Sequence, residues 1–156
     1  MTSRILVSLH VGASPERAFE VFVRDIGAWW QPNELFCFTP RSPGRLTFEP
    51  ELGGRFMETF PDGEVFEIGR ITDWEPSTRL AFTWRQASFA SDQDTRVEVR
   101  FEAVGTETRV TVTHSGWDTV PQDHLARHHF PDAIFLHRHA EWWQVLLAEL
   151  AQRSAK

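Results

Sequence analysis

Five of the seven histidines of this chain lie in one stretch, HLARHHFPDAIFLHRHAEWW, from His124 to Trp143. Imidazole groups bind metal ions and exchange protons near neutral pH, so the stretch raises both kinds of chemistry. His124 and His128 would share one face of a helix, and His129 adds another nitrogen. A zinc-protease helix also needs a glutamate directly after its first histidine and a third ligand. The sequence lacks that glutamate, and Pro131 separates the later histidines, so we predict no metal site and no cofactor.

The second half of the stretch belongs to a long predicted helix, from about Asp132 to Gln152. With about 100° of rotation per residue, one apolar stripe runs along this helix. The stripe holds Phe135, His139, Trp142, Leu146 and Leu150. His137 falls roughly opposite, where Glu141 four residues later can pair with it. We therefore predict that His139 faces the sheet and that His137 faces water.

His114 is the second histidine of interest. Strand alternation places it on the face of Val110 and Val112, and places Ser115 on the other face, which argues against a serine–histidine nucleophile. In an apolar cavity, His114 and His139 could hydrogen-bond a ligand carbonyl or carboxylate, or one could act as a base. The alternative is that each is a core histidine bonded to backbone or to an acid. The sequence leaves both interpretations open, and we assign no catalytic residue outright.

The composition predicts a single domain over residues 1–156. A net charge of −6 and one lysine argue against nucleic acid as a partner, and no apolar run is long enough for membrane insertion. One cysteine, Cys37, excludes an internal disulfide, so we expect a cytoplasmic location. The chain has 13 Phe and 7 Trp but no Tyr, which fits either a cavity lined by rings or an aromatic-rich core.

The surrounding elements must position these residues. Ile5 to Val11 alternates as a first strand, and Ser14 and Pro15 are the N-cap and first residue of a helix that we expect to break at Gly27. About six antiparallel strands follow before the long helix. The predicted fold class is therefore α+β: a curved antiparallel sheet of six to seven strands gripping a long C-terminal helix, with two short helices after the first strand.

Three segments carry a resemblance to a known family: SPERAFEVFVRDIGAWW, ELGGRFMETFPDGEVFEIGRITDWEPSTRLAFTW and RVEVRFEAVGTETRVTVTHSGW. They resemble the family related to the C-terminal domain of the Hsp90 ATPase activator, within the START-like, helix-grip superfamily, also called SRPBCC. The similarity runs from about Ile5 to Leu150 in the same order. The most specific pieces are Trp29-Trp30, Gly53-Gly54-Arg55-Phe56, Glu75-Pro76 and Thr113-His114-Ser115-Gly116. The resemblance implies a cavity between the sheet and the terminal helix.

We expect this cavity to bind a small hydrophobic or aromatic ligand, with its walls formed by the inward strand faces and the helix stripe. The predicted ligand-binding residues are Phe48, Phe56, Phe60, Phe66, Phe82, Trp84, His114, Trp117, Phe135, His139 and Trp142.

Two other functions follow from the resemblance. One is an enzyme of the cyclase/dehydratase kind with His139 or His114 as the acid–base, and the residues favour a binding protein over an enzyme without deciding the matter. The other is a chaperone ATPase co-activator with a chaperone partner. The identity of the ligand, the pathway and the oligomeric state, including a homodimer, stay open.

Overall fold

The structure is a computed structural model, and it describes residues 4–30, 38–39, 41, 44–87, 89, 93–117, 120 and 131–155. Seven strands form one antiparallel sheet in the order β1-β7-β6-β5-β4-β3-β2. The strands are β1 (Ile5–Val11), β2 (Arg45–Phe48), β3 (Arg55–Thr59), β4 (Val65–Glu75), β5 (Arg79–Trp84), β6 (Thr95–Val104) and β7 (Glu107–Ser115). The helices are α1 (Pro15–Arg24), α2 (Ile26–Trp29) and α3 (Asp132–Ser154). This arrangement confirms the predicted fold class.

The sheet follows from short connections between consecutive strands. Strands β2 to β6 each pair with the next one along the chain, and β1 pairs with β7 from Ile5 opposite His114 to Val11 opposite Thr108. The long helix α3 lies along β1 and also contacts α1 and α2. Because α3 and the two short helices cover the same side of the sheet, that side forms the hydrophobic core.

Helix α1 begins as the sequence predicts but ends differently. The Ser14 hydroxyl accepts a hydrogen bond from the Arg17 amide, and Pro15 occupies the first turn. The break between the two short helices lies at Asp25, and Gly27 is inside α2, so the predicted break at Gly27 is wrong. A Cβ at Gly27 would lie 2.8 Å from the carbonyl oxygen of Leu46. Glycine is needed there because α2 packs closely on β2, not because the helix ends.

The outer face of the sheet is charged. Arg79 forms ion pairs with Asp73, Glu75 and Glu98, and Arg96 reaches Asp73. This face is therefore solvated, and the aromatic side chains of the core lie on the inner face. Within the described ranges, no helix is both long and apolar enough to cross a bilayer.

Candidate functional site

Aromatic rings fill the space between the inner face of the sheet and α3, and we call this group the aromatic chamber. Its members are Trp30, Phe38, Phe48, Phe56, Phe82, Trp84, Phe89, His114, Trp117, Phe135, His139, Trp142 and Trp143. The rings are in mutual contact. Trp84 lies 5.0 Å from His114 and 5.5 Å from Trp117, and Trp117 lies 4.8 Å from Phe135, all between ring centroids. Such edge and tilted contacts are the geometries that aromatic pairs prefer.

His114 sits in this chamber in a chain of hydrogen bonds. The indole N–H of Trp143 donates to its Nδ1 at 3.2 Å, so that nitrogen carries no proton. Its Nε2 lies 2.7 Å from the Thr95 hydroxyl, which in turn donates to the carbonyl oxygen of Trp84 at 2.7 Å. Because the Thr95 hydroxyl donates its only proton to the Trp84 carbonyl oxygen, Nε2 of His114 must be the donor in the hydrogen bond with Thr95. The geometry therefore defines one neutral tautomer, with the proton on Nε2.

His139 reaches the chamber from α3. It is fully buried, and its ring centroid lies 5.0 Å from that of His114 and 5.2 Å from that of Trp142. His137 is exposed, and its Nε2 lies 3.4 Å from a Glu141 carboxylate oxygen. The helical phase predicted for the two histidines is thus confirmed.

Both buried imidazoles are neutral at physiological pH. Burial lowers the pKa of His114 from 6.5 to about 3, because a charged ring there would lose its hydration. Burial also lowers the pKa of His139 well below its ordinary value, and the neighbouring His114 lowers it further. As a result, neither ring supplies a positive charge for an anionic ligand.

The predicted lining residues divide into two groups. Phe48, Phe56 and Phe82 join the chamber, with Phe48 stacked on Phe56 at 4.4 Å. Phe60 and Phe66 lie instead beneath arginine side chains, 4.4 Å from the guanidinium carbon of Arg41 and 5.2 Å from that of Arg85. Among the described residues, these two rings make no ring contact with the chamber.

Several members of the aromatic chamber and two buried polar residues on the inner face of the sheet were not predicted to line the site. Thr95 had a usable signal, because strand alternation puts it on the inner face with Val97 and Val99. Glu58 had the same signal: it lies between Phe56 and Phe60 in the alternation, is fully buried, and accepts a hydrogen bond from the Gly44 amide at 2.9 Å. Phe38 and Phe89 lie outside the helices and strands, where no periodicity could reveal their burial.

Metal chemistry finds no support in the part of the chain that the structure describes. No group of three or more His, Cys, Asp or Glu side chains is placed there to hold a metal ion. His124, His128, His129 and Cys37 lie outside the described residues.

A separate surface pocket of about 340 Å³ lies between α1 and the β4–β5 turn. Phe19 and Trp74 line it together with Glu16, Glu20 and other residues. It contains none of the predicted site residues, so it is a different feature from the aromatic chamber.

The curved sheet, the gripped C-terminal helix and the aromatic interior between them define a START-like, helix-grip protein. The family model described as Activator of Hsp90 ATPase homolog 1-like protein matches residues 12–154, and the chain belongs to that family. No curated protein shows significant similarity to it.

Solved structures have the same fold. A protein from Mesorhizobium loti is 18% identical with a TM-score of 0.66, covering 96% of this chain and 94% of its own. The Aha1 dimer from Colwellia psychrerythraea is 19% identical with a TM-score of 0.64, covering 95% and 92%. An anthrahydroquino-γ-pyrone synthase, Txn09, is 30% identical with a TM-score of 0.56, covering 96% and 95%. The first two similarities establish the fold alone.

Proposed function

We propose that the protein binds a small aromatic or hydrophobic molecule in the aromatic chamber, between the sheet and α3. The observation that carries this proposal is the concentration of rings around the neutral pair His114 and His139, which lie 5.0 Å apart. Aromatic walls with a few fixed polar groups are the usual surface for small-molecule ligands. A core that served stability alone would gain little from so many indoles, since aliphatic side chains fill space with no polar atom to satisfy.

Binding must separate rings that are now in contact. The chamber members are nearly or fully buried, so a ligand enters only when some of these side chains turn or the neighbouring backbone moves. The free energy of that rearrangement reduces the affinity, while the apolar area removed from water favours binding. We therefore expect ligand binding to raise the melting temperature and to change the indole environments.

Nuclear magnetic resonance tests this proposal directly. Tricyclic and bicyclic aromatic probes are titrated into the 15N-labelled protein, and the indole N–H signals are followed. We expect the signals of Trp84, Trp117 and Trp142 to shift with saturation, while that of Trp74, which lies in the surface pocket, stays in place. The variant Trp84→Leu should lose most of the affinity and the matched variant Trp74→Leu should keep it. Equal shifts of all the indole N–H signals, or no shift of any of them, would contradict the proposal.

A second function is favoured by one specific observation. The 30% identity with the anthrahydroquino-γ-pyrone synthase runs over nearly the full length of both chains. In this alternative the protein is a cyclase/dehydratase-type enzyme. His139 or His114 is then the acid–base, and both nitrogens of His114 are engaged by Trp143 and Thr95. In the dehydration, the neutral imidazole would take the proton from the carbon beside a ligand carbonyl and return it to the oxygen of a β-hydroxyl group, so that the C–O bond breaks, water leaves and a C=C bond forms.

The enzyme is distinguished from the binding protein with the natural ligand. A native mass spectrum of freshly purified protein gives the mass of any co-purified molecule. That molecule is then incubated with the wild type, His139→Gln and the exposed-residue control His137→Gln. Conversion by the wild type and the control, but not by His139→Gln, would establish the enzyme. Recovery of the unchanged molecule in all samples would contradict the enzyme and favour the binding protein.

The remaining expectations rest on the family alone. A chaperone co-activator role is the weakest alternative, and a pull-down with purified Hsp90 tests it. The Aha1 relative from Colwellia psychrerythraea is described as a dimer, so sedimentation of this protein is the test of a homodimer. The cytoplasmic location also stays a prediction, which rests on the single cysteine.

A further inference from the structure

Among the residues that the structure describes, the buried N–H groups of three side chains have no hydrogen-bond acceptor. They are the indole nitrogens of Trp30 and Trp84 and the side-chain amide nitrogen of Gln86. Their side chains are at least nine-tenths buried, with 2%, 0% and 6% of their surfaces exposed. Native proteins pair almost all buried polar groups, so a group of such donors requires an explanation.

Other tryptophans of the same chain are paired. The indole N–H of Trp29 donates to the carbonyl oxygen of Val21 at 3.2 Å, and that of Trp143 donates to His114. The fold can therefore supply acceptors to indoles in its core. An unpaired buried donor destabilises the folded protein, and aliphatic or phenylalanine side chains at positions 30 and 84 would avoid that cost.

The three donors belong to one region of the chamber. The ring of Phe38 lies 5.9 Å from that of Trp30 and 5.6 Å from that of Trp84. The amide of Ala87, directly after Gln86, donates to the carbonyl oxygen of Phe38 at 2.7 Å. The rings of Trp30 and Trp84 thus both contact the ring of Phe38, and Gln86 lies beside them in the segment after β5 whose backbone is bonded to Phe38.

The charges in the chamber restrict the ligand further. Among the described chamber residues there is no arginine or lysine, and Glu58 is buried on the same face of the sheet. A ligand carboxylate or phosphate would therefore be buried without a counter-ion, which is strongly unfavourable. The ligand group that suits these three donors is therefore an uncharged oxygen, which accepts hydrogen bonds and needs no counter-ion.

We propose that the ligand of the aromatic chamber is an uncharged, flat aromatic molecule whose carbonyl or ring-ether oxygens accept hydrogen bonds from Trp30, Trp84 and Gln86. This inference rests on the proposed ligand-binding function and specifies its chemical class. Aromatic ketones, quinones and pyrones belong to that class, whereas fatty acids and plain hydrocarbons do not.

Two pairs of probes test the inference: 9-fluorenone against fluorene, and 1-indanone against indane. Within each pair the shape is nearly constant and only the ketone oxygen differs. We expect the ketone of the better-fitting pair to bind about five- to tenfold more tightly than its hydrocarbon, as one or two hydrogen bonds allow. The indole N–H signals of Trp30 and Trp84 should move downfield with the ketone and not with the hydrocarbon.

A near-isosteric substitution isolates the donor itself. In the variant Trp84→β-(benzothiophen-3-yl)alanine, sulfur replaces the N–H group while the bicyclic ring is retained. The preference for the ketone should fall at least severalfold, with hydrocarbon affinity unchanged. Gln86→Met should act in the same direction. The same benzothiophene at Trp29, whose N–H is paired with Val21, is the matched control and should leave the preference intact.

The possible failures separate the two proposals. If both members of a pair bind equally, or if the Trp84 substitution leaves the preference unchanged, the donor inference is overturned and the ligand-binding function stands. If no member of either pair binds, the proposed function fails together with this inference.

Discussion

Trp143 on α3 donates its indole N–H to Nδ1 of His114 on β7, with 3.2 Å between the two nitrogens. One hydrogen bond thus joins the gripped helix to the sheet and determines the tautomer of a buried histidine. The other nitrogen of His114, Nε2, donates to the Thr95 hydroxyl on β6. That hydroxyl donates in turn to the carbonyl oxygen of Trp84 on β5. Three neighbouring strands and the helix are linked through one imidazole.

The first prediction concerns this link. Trp143→Phe removes the donor and leaves Nδ1 of His114 buried without a partner, whereas Trp30→Phe removes a similar volume and an indole N–H that is already unpaired. We expect Trp143→Phe to lower the free energy of unfolding by about 1–2 kcal/mol more than Trp30→Phe does. Urea denaturation of both variants measures the difference. Equal losses would mean that the Trp143 hydrogen bond contributes nothing to stability.

The second prediction is a pH dependence of stability. The pKa of His114 is about 3 in the folded protein against 6.5 ordinarily, and that of His139 is lowered in the same direction. Between these pH values the unfolded chain binds protons that the folded chain does not, so stability is lost as the pH falls below 6.5. From pH 7.5 to pH 5 we expect a loss of about 2 kcal/mol from His114 and a further loss from His139. Chemical denaturation across this range, above the titration of most carboxylates, measures it.

Two variants serve as controls for this pH effect. His139→Phe removes one of the buried imidazoles and should reduce the loss. His137→Gln changes an exposed histidine and should leave the loss as in the wild type. A wild-type stability that does not change between pH 7.5 and pH 5 would contradict the buried neutral state of both rings.

The third prediction concerns the close approach of α2 to β2. In Gly27→Ala the new methyl group would lie 2.8 Å from the Leu46 carbonyl oxygen, a backbone atom that cannot easily move. We expect a loss of about 1–3 kcal/mol, although alanine favours a helix more than glycine does. Gly12→Ala is the control, because its nearest contact is a Glu107 carboxylate oxygen at 3.9 Å. Thermal melting compares the two, and a stabilised Gly27→Ala protein would refute the packing argument.

The fourth prediction concerns the β4–β5 turn. Ser77 has a φ of 69°, and the Thr78 amide donates to the Glu75 carbonyl oxygen at 3.0 Å across the turn. Ser77→Gly should raise the free energy of unfolding by about 0.5–1 kcal/mol, because glycine adopts this backbone conformation without strain. The reciprocal change is Gly63→Ala, where φ is 88° and no atom would touch the new Cβ. It should cost about 1 kcal/mol by the same denaturation assay, and a loss of stability in Ser77→Gly would refute the reasoning.

Patterns along the chain predicted which face of each element is buried. Alternation placed Phe82 and Trp84 on one face of β5, and the helical wheel separated His139 from His137 on α3. Both predictions are confirmed, because side-chain direction within an element depends only on backbone periodicity. The position of the break after α1 could not be read in this way. Position 27 requires a glycine because α2 packs closely on β2, which is distant in sequence.

The sequence by itself determined an antiparallel sheet of about six to seven strands, the gripped helix and the richness in aromatic residues, but not the strand order that places β1 beside β7. Only the tertiary structure decided the roles of the two inward histidines. His114 finds its donor 29 positions later in the chain and its hydroxyl partner 19 positions earlier. It also decided that Phe60 and Phe66 lie under arginines, and that the donors of Trp30, Trp84 and Gln86 have no acceptor. The physical reason is that periodicity states which way a side chain points, while hydrogen bonding depends on which distant atoms the curved sheet brings within about 3 Å.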